Sequence, residues 1–219
     1  MIAGTQLYTP DYFHDTSAVV TPDVEKETTR FEVAEQSTLA ACSSGARAQE
    51  ESLARCSTLY QSLLTQRDTY YATNRQSVNK GYYTDHLIYS PHVLVIRNDE
   101  SFALLDKGYS VNVITTPAVN AGAVLARSHG VAEKIESLNA KRVENVLRIA
   151  REKRQKALVL GAWGCGCFRN DAKAIAKAFY DLMKVENAKY ADCFELVVFA
   201  VLDFEKDQPN LNAFRNQFE

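Results

Sequence analysis

The hydrophobic positions in the second half of the chain follow two alternating periodicities. Four short apolar runs predict β-strands: His92–Arg97, Tyr109–Thr115, Ala157–Leu160 and Phe194–Asp203. Two longer stretches, near residues 132–153 and 170–183, carry apolar residues at steps of three and four and predict amphipathic helices. This alternation predicts an α/β fold, with helices on both faces of one mostly parallel sheet that contains all four strands.

The first half of the chain has a weaker pattern. Residues 1–29 are polar and mixed, and we interpret them as an N-terminal arm before a single domain over residues 30–219. A short strand is predicted at Arg30–Val33. Helices are predicted from Ser37 or Thr38 and again after Gly45, where apolar residues recur with helical spacing. Residues 65–90 are polar and tyrosine-rich, which predicts a long excursion outside the core.

Composition is typical of a soluble globular protein: of 219 residues, 46% are hydrophobic and 24% charged. A net charge of −2 gives no global attraction to membranes or nucleic acid. The N-terminal sequence lacks a signal-peptide pattern, and no apolar run approaches the roughly twenty residues of a membrane span. The five cysteines are Cys42, Cys56, Cys165, Cys167 and Cys193. An odd count predicts free thiols in a reducing, intracellular compartment, cytoplasmic or nuclear, rather than secretion.

A basic stretch on and after the long helix could contact the phosphates of a polymer. Its members are Lys141, Arg142, Arg148, Arg151, Lys153, Arg154 and Lys156. Because Glu144 and Glu152 interrupt it, the pattern favours the solvated face of an amphipathic helix.

The stretch ALVLGAWGCGCFRNDAKAIA predicts a strand, a glycine-rich loop and a helix that starts at Asn170 or Asp171. Glycines let backbone N–H groups surround a phosphate, and the start of a helix adds positive potential. Phe168 offers a flat surface beside the loop for a base or a ribose. The alternative is a tight strand-to-helix turn without a ligand. Cys165 and Cys167 are too few for a zinc site, and no histidine motif supports a nucleophilic Cys165.

Gln49, Glu50 and Glu51 stand together just before a run with helical spacing. Adjacent helical side chains point about 100° apart, so the two carboxylates cannot share one face. One can project into a cleft while the other lies at its rim. Alternatively, both are solvated residues that favour the dipole of a first helical turn.

Several stretches together resemble the microbial-type poly(ADP-ribose) glycohydrolases, a branch of the macrodomain fold. GARAQEESLARCSTLY resembles their catalytic segment, whose core is Q-E-E, and LVLGAWGCGCFRND resembles their second diphosphate loop. TRFEVAEQSTLAAC, TDHLIYSPHVLVIRND and VNVITTPAVN resemble neighbouring strand and helix regions. The similarity covers about residues 30–203 and implies a macrodomain-like three-layer α/β/α sandwich.

The resemblance implies hydrolysis of the ribose–ribose glycosidic bond of poly(ADP-ribose), which releases ADP-ribose. Glu51 would be the acid/base, and Glu50 and Gln49 would position the ribose hydroxyls. The diphosphate and the ribose beside it would lie on Gly164, Cys165, Gly166, Cys167 and Phe168. This chemistry requires no metal or cofactor. We expect a monomer that acts on free or protein-linked ADP-ribose polymers and binds no nucleic acid sequence-specifically.

The sequence departs from the family pattern before the Q-E-E segment. The family places a central strand and an Asn-Pro-Gly-Gly-Gly loop there, whereas STLAACSS here runs directly into GARAQEE. On the order of twenty residues are therefore missing. The missing loop would supply an asparagine contact to the distal ribose and part of the phosphate cradle. Two further hypotheses follow: a catalytically impaired macrodomain that binds ADP-ribose or a related nucleotide, and a non-functional truncated product.

Overall fold

The computed structural model describes residues 6–8, 49–76 and 81–219, without the side chains of residues 7, 8, 51 and 76. The strand predicted at Arg30–Val33, the helix predicted from Ser37 or Thr38, and most of the N-terminal arm lie outside these residues. The described chain divides into two compact units. The first contains residues 6–8, 49–73 and 86–115, and the second contains residues 74–76, 81–85 and 116–219.

The first unit is built on a three-stranded antiparallel sheet in the order β1-β2-β3. Its strands are β1 (Gln6–Tyr8), β2 (Leu87–Arg97) and β3 (Leu104–Thr115). The register pairs Gln6 with Tyr89 and Ile88 with Thr115. The six residues between β2 and β3 are too few for a crossover, so the two strands form a hairpin. The helical elements of this region are α1 (Gln49–Cys56), α2 (Leu59–Leu64), a π-helical turn (Arg67–Tyr71) and α3 (Ala72–Gln76).

The interpretation of residues 65–90 as an excursion outside the core is wrong in part. Tyr70 is 4% exposed and packs in an apolar cluster with Leu59, Leu63, Ile88 and Val93. Residues 87–90 are fully part of β2, and all four are buried. The polar composition concealed this burial because tyrosine carries a large apolar ring that packs well in a half-polar segment.

The second unit combines a short parallel sheet with four helices. Its elements are α4 (Ala121–Leu125), α5 (Ala132–Glu152), β4 (Ala157–Leu160), α6 (Ala172–Met183), β5 (Leu196–Phe199) and α7 (Pro209–Phe218). β4 and β5 are parallel, with Ala157 paired to Leu196. α6 packs against both α5 and α7. The ring of Phe199 contacts Phe179, Phe214 and Phe218, so the polar tail is a helix that closes one side of this core.

Two expectations about the sheet are corrected. The four predicted strands do not share one sheet: within the described residues, β2 pairs with β1 and β3, whereas β4 pairs only with β5. The apolar run Phe194–Asp203 is also a strand only over Leu196–Phe199, and Leu196 and Val198 are 56% and 40% exposed. Its side chains alternate between an exposed and a covered face, because the helices of the described residues cover one face of this sheet.

The helix α5 matches its predicted range within one residue, but its buried face is more polar than predicted. Besides Ile135, Val143 and Leu147, it buries Asn139 and Arg142, at 2% and 1% exposure. The assignment of Arg142 to a solvated basic face is therefore wrong. No helix in the described part of the chain is long and apolar enough to cross a membrane.

Candidate active site

The helix α1 carries the Q-E-E residues at its start. Gln49 is exposed and Glu50 is half-buried. The hydroxyl of Tyr71, in the π-helical turn, donates a hydrogen bond to Oε1 of Glu50 at 3.0 Å. The ring of Tyr71 in turn meets the buried ring of Tyr70 edge-on at 4.9 Å. The carboxylate of Glu50 is therefore oriented from the core of the first unit. Glu51 follows in the same helix, and its side chain is outside the described part.

Contacts to the hairpin fix α1 further along. Ser52 and Cys56 both donate to Oδ1 of Asp99, in the turn that follows β2. Burial and the Asp99 carboxylate raise the pKa of the Cys56 thiol above its ordinary value. Just beyond α1, the N–H of Thr58 donates to the carbonyl of Leu94 at 3.0 Å, and the N–H of Leu94 donates to Oγ1 of Thr58 at 3.0 Å. The Q-E-E helix is thus attached to the central strand of its sheet.

The glycine loop follows β4 and turns at Gly164, whose φ of +73° is the left-handed region that disfavours side chains. A Cβ there would lie 2.4 Å from Cβ of Ala118 and 2.6 Å from Nδ2 of Asn170. Only glycine fits this position. The loop closes on itself through bonds from the Asn170 N–H to the Gly164 carbonyl (3.1 Å) and from the Arg169 N–H to the Gly166 carbonyl (2.9 Å).

Two buried asparagines, Asn139 and Asn170, fix the glycine loop through hydrogen bonds on its buried side. Nδ2 of Asn170 donates to the carbonyls of Val119 and Gly164 at 2.7 and 2.9 Å. Its Oδ1 accepts from Nδ2 of Asn139 at 2.8 Å, and Oδ1 of Asn139 accepts from the N–H of Val119 at 3.0 Å. These four bonds join α5, the segment before α4 and the glycine loop. Asn170 is therefore the anchor of the loop, and Asp171 is the N-cap of α6, accepting from the Lys173 N–H at 2.9 Å.

The tip of the loop is open. A Cβ at Gly166 would meet no atom within 4 Å, and Cys167 beside it is exposed. Phe168 is half-buried, and its carbonyl accepts from the N–H of Gly122 at 3.0 Å. Backbone groups at the tip are thus accessible to an anion, while the flanks of the loop are fixed.

The two loop cysteines have different surroundings. Burial and the charge of Asp171 raise the pKa of the Cys165 thiol to about 12. A thiol with such a pKa stays protonated at neutral pH, which argues against a nucleophilic role. The described cysteines Cys56, Cys165, Cys167 and Cys193 are free. In the described chain, no group of three or more His, Cys, Asp or Glu side chains could hold a metal ion.

The guanidinium of Arg142 fixes the segment of residues 82–85, which contacts the glycine loop through Tyr83. Its Nη2 donates to the carbonyls of Tyr82 and Tyr83 at 2.8 and 3.3 Å, and its Nη1 donates to that of Pro117 at 3.1 Å. Its Nε donates to Oδ1 of Asp85 at 2.9 Å. The ring of Tyr83 is stacked on that of Phe168, with 5.8 Å between centroids and 29° between planes.

Sequence reasoning missed Asn139, Arg142 and Tyr83. A signal for the first two was present: Ile135, Asn139 and Arg142 are separated by four and three residues, the spacing of the apolar stripe. The charge of Arg142 led us to place it on the solvated face, and the polarity of Asn139 kept it out of the predicted stripe. Of the predicted residues, the structure has Gln49 and Glu50 in the first unit and Gly164–Phe168 in the second.

Comparison with known proteins identifies the class of protein to which this chain belongs. The family model described as "Microbial-type PARG, catalytic domain", for poly(ADP-ribose) glycohydrolase, matches residues 42–98. A search of curated proteins by sequence gave no match. The chain is similar to poly(ADP-ribose) glycohydrolase from Deinococcus radiodurans in complex with ADP-ribose, at 45% identity and TM-score 0.73, over 78% of this chain and 68% of that one.

Two further solved structures extend this similarity along the chain. A single-residue variant of the Deinococcus radiodurans enzyme with ADP-ribose is 38% identical over 100% of this chain and 96% of its own, with TM-score 0.81. The Thermomonospora curvata enzyme is 35% identical over 99% of this chain and 86% of its own, with TM-score 0.78. These similarities define a macrodomain-like glycosidase, and the predicted α/β class is confirmed. The chain belongs to the poly(ADP-ribose) glycohydrolases, whose reaction is the hydrolysis of poly(ADP-ribose).

Proposed function

We propose that this chain cleaves the ribose–ribose glycosidic bond of poly(ADP-ribose) and releases ADP-ribose, with Glu51 as the acid/base. Glu51 protonates the oxygen that leaves the distal ribose, stabilises an oxocarbenium-like state and then activates water. The observation that carries the proposal is the Q-E-E sequence on a helix within the matched family segment, residues 42–98.

Glu50 and Gln49 position the ribose hydroxyls. The bond from Tyr71 to Oε1 of Glu50 supports this role, because it holds the carboxylate in one orientation. Adjacent helical positions are about 100° apart, so the positions of Glu50 and Glu51 face different directions around the helix. That geometry supports a division into one acid/base and one positioning carboxylate.

The loop Gly164–Phe168 binds the diphosphate and the ribose beside it. Its open tip at Gly166 and the anchored flank at Gly164 support this role, as does the N-terminus of α6, a helix of 12 residues. The Deinococcus radiodurans relatives were solved with ADP-ribose, which supports the same ligand here. The free described cysteines support an intracellular site of action, on free or protein-linked polymer, and we expect a monomer.

Released ADP-ribose measured for wild type, Glu51→Gln and Glu50→Gln tests the catalytic assignment. Glu51→Gln keeps the shape and removes the acid, so we expect a loss of about a hundredfold or more in rate. Glu50→Gln should cost less, because it retains an oxygen for Tyr71. Full activity of Glu51→Gln would refute the assignment.

Titration calorimetry with ADP-ribose tests the loop separately. Gly166→Glu adds negative charge at a position where a side chain meets nothing in the fold, so it should weaken binding without unfolding the protein. Gly166→Gln is the matched control, with nearly the same volume and no charge. Equal affinity of all three proteins would remove the loop from the ligand site. Binding without any turnover would favour the impaired binder over the enzyme.

The missing strand and Asn-Pro-Gly-Gly-Gly loop bear on the rate. We infer that the chain turns over more slowly than a relative with that loop, because a ribose contact and part of the phosphate cradle are gone. Insertion of a family-type strand and loop between Ser44 and Gly45 should raise activity in the same assay. An inserted chain that folds and gains no activity would contradict this inference.

A further inference from the structure

Tyr83 lies in an irregular segment, residues 81–85, that is fixed from several directions within the second unit. The N–H of Asn120 donates to the carbonyl of Gly81 at 2.7 Å. The N–H and the hydroxyl of Thr84 both donate to Oδ1 of Asn74 at 2.9 Å. Together with the bonds from Arg142, each residue from 81 to 85 has a partner from outside the segment. The segment therefore has a defined conformation although it is neither helix nor strand.

The backbone of Tyr83 is itself unusual. Its φ is +55°, in the left-handed region that a residue with a Cβ rarely adopts. Such a conformation persists where surrounding contacts impose it. Here the carbonyl of Tyr83 accepts from the guanidinium of Arg142, and its ring stacks on Phe168. The conformation thus directs a large half-buried ring towards the glycine loop.

Phe168 has contacts on two sides. Its backbone carbonyl is bonded to the N–H of Gly122, and one face of its ring lies against Tyr83. A half-buried phenylalanine beside the open Gly166 has several rotamers available, and a stacked neighbour selects one of them. A ring held in one rotamer binds a ligand with a smaller loss of side-chain entropy.

We propose that Tyr83 is a positioning residue for substrate binding, which acts by holding the Phe168 ring beside the ribose of the bound ADP-ribose unit. Arg142 supports this role because its guanidinium donates hydrogen bonds to the carbonyls of Tyr82 and Tyr83. The proposal rests on the proposed function of Phe168 as a ribose contact. It assigns a role to a residue outside both the Q-E-E segment and the glycine loop.

A double-mutant cycle read by titration calorimetry with ADP-ribose tests this role. The proteins are wild type, Tyr83→Ala, Phe168→Ala and the double variant. Phe168→Ala should raise Kd about tenfold and Tyr83→Ala about three- to tenfold, the range expected for loss of an aromatic contact. The double variant should match Phe168→Ala alone, because Tyr83 acts only through that ring. Tyr83→Phe keeps the ring and should retain wild-type affinity.

Each departure from these expected affinities refutes a different part of the argument. If Tyr83→Ala weakens binding equally with and without Phe168, Tyr83 acts on its own and the proposal is wrong. If Phe168→Ala weakens binding while Tyr83→Ala does not, the inference fails and the proposed function stands. If Phe168→Ala has no effect, the ribose contact itself fails, which the Glu51→Gln assay distinguishes from loss of the catalytic assignment.

Controls separate positioning from folding. Tyr109 is a 56% exposed tyrosine on β3, and Tyr109→Ala should leave Kd unchanged. Urea midpoints of the four cycle proteins show whether each is folded at the assay temperature. If Tyr83→Ala fails to fold, Tyr83→Leu retains bulk without a stacking ring and takes its place in the cycle. A Tyr83→Leu protein with wild-type affinity would overturn the proposal.

Discussion

Replacement of Asp85 by asparagine removes the anionic partner of a buried guanidinium. The side chain of Arg142 is 2% exposed and that of Asp85 14%, and Nε of Arg142 lies 2.9 Å from Oδ1 of Asp85. Removing one member of a buried ion pair generally costs about 3–5 kcal/mol, because the other charge is left buried without compensation. Arg142 keeps its bonds to the three backbone carbonyls, and asparagine keeps one oxygen. We therefore expect Asp85→Asn to lower the free energy of unfolding by about 2–3 kcal/mol.

The second cation on Asp85 supplies a control. Lys141 bonds to Oδ2 of Asp85 at 2.7 Å, but its side chain is 45% exposed. Exposed partners contribute about 1 kcal/mol or less, so Lys141→Met should be nearly neutral. Urea unfolding followed by circular dichroism at pH 7 gives all three free energies. An Asp85→Asn protein within about 0.5 kcal/mol of wild type would refute the reasoning, since that is the behaviour of an ordinary surface substitution.

The stability that the Asp85 ion pair contributes should also change with pH in a definite direction. Burial raises the pKa of the Asp85 carboxyl, but the hydrogen bonds and charges of Lys141 and Arg142 more than offset this and hold it below the ordinary value of 3.8. A carboxyl with a depressed pKa contributes stability above its unfolded pKa and loses it as the pH falls through the folded pKa. The difference between wild type and Asp85→Asn should therefore be complete at pH 5–7 and should shrink below about pH 4. A difference that grew on acidification would contradict the assigned ion pair.

Two other substitutions test the loop and the Q-E-E helix. Gly164→Ala should destabilise the protein by about 2–4 kcal/mol, because its Cβ would lie 2.4 Å from that of Ala118 in a left-handed backbone. Gly166→Ala should be nearly neutral in the same urea assay, and equal costs at the two glycines would be inconsistent with the loop geometry. Tyr71→Phe removes the bond to Glu50, so it should cost about 1 kcal/mol of stability and reduce release of ADP-ribose several-fold. In a Glu50→Gln background its effect on rate should be smaller, and an undiminished effect would separate Tyr71 from Glu50.

The sequence predicted those features that depend on local pattern. The range of α5, the β4 strand, the glycine loop and the helix after it follow from periodicity, a strand-to-glycine transition and an N-cap. The segments His92–Arg97 and Tyr109–Thr115, which are parts of β2 and β3, follow in the same way. These features require no knowledge of distant residues.

What the sequence did not predict depends on partners far along the chain. Arg142 is buried because acceptors from residues 82, 83, 85 and 117 surround its guanidinium, and no local pattern contains that information. Tyr70 is buried because the sheet of the first unit covers it. The apolar run at Phe194–Asp203 contains a strand only over Leu196–Phe199, because its described partner β4 pairs with it over four residues. In each case tertiary packing overrides the local signal.

The glycine loop also determines where this protein can be altered. At one end, Gly164 leaves no room for a single added carbon, and the amide of Asn170 serves three partners at once. A change there requires compensating changes in α5 and the segment before α4. At the other end, Gly166 faces open space, and new side chains can be introduced without repacking. Engineering of ligand preference is therefore best directed at residues 166 and 167, whereas the anchor must be redesigned as a unit.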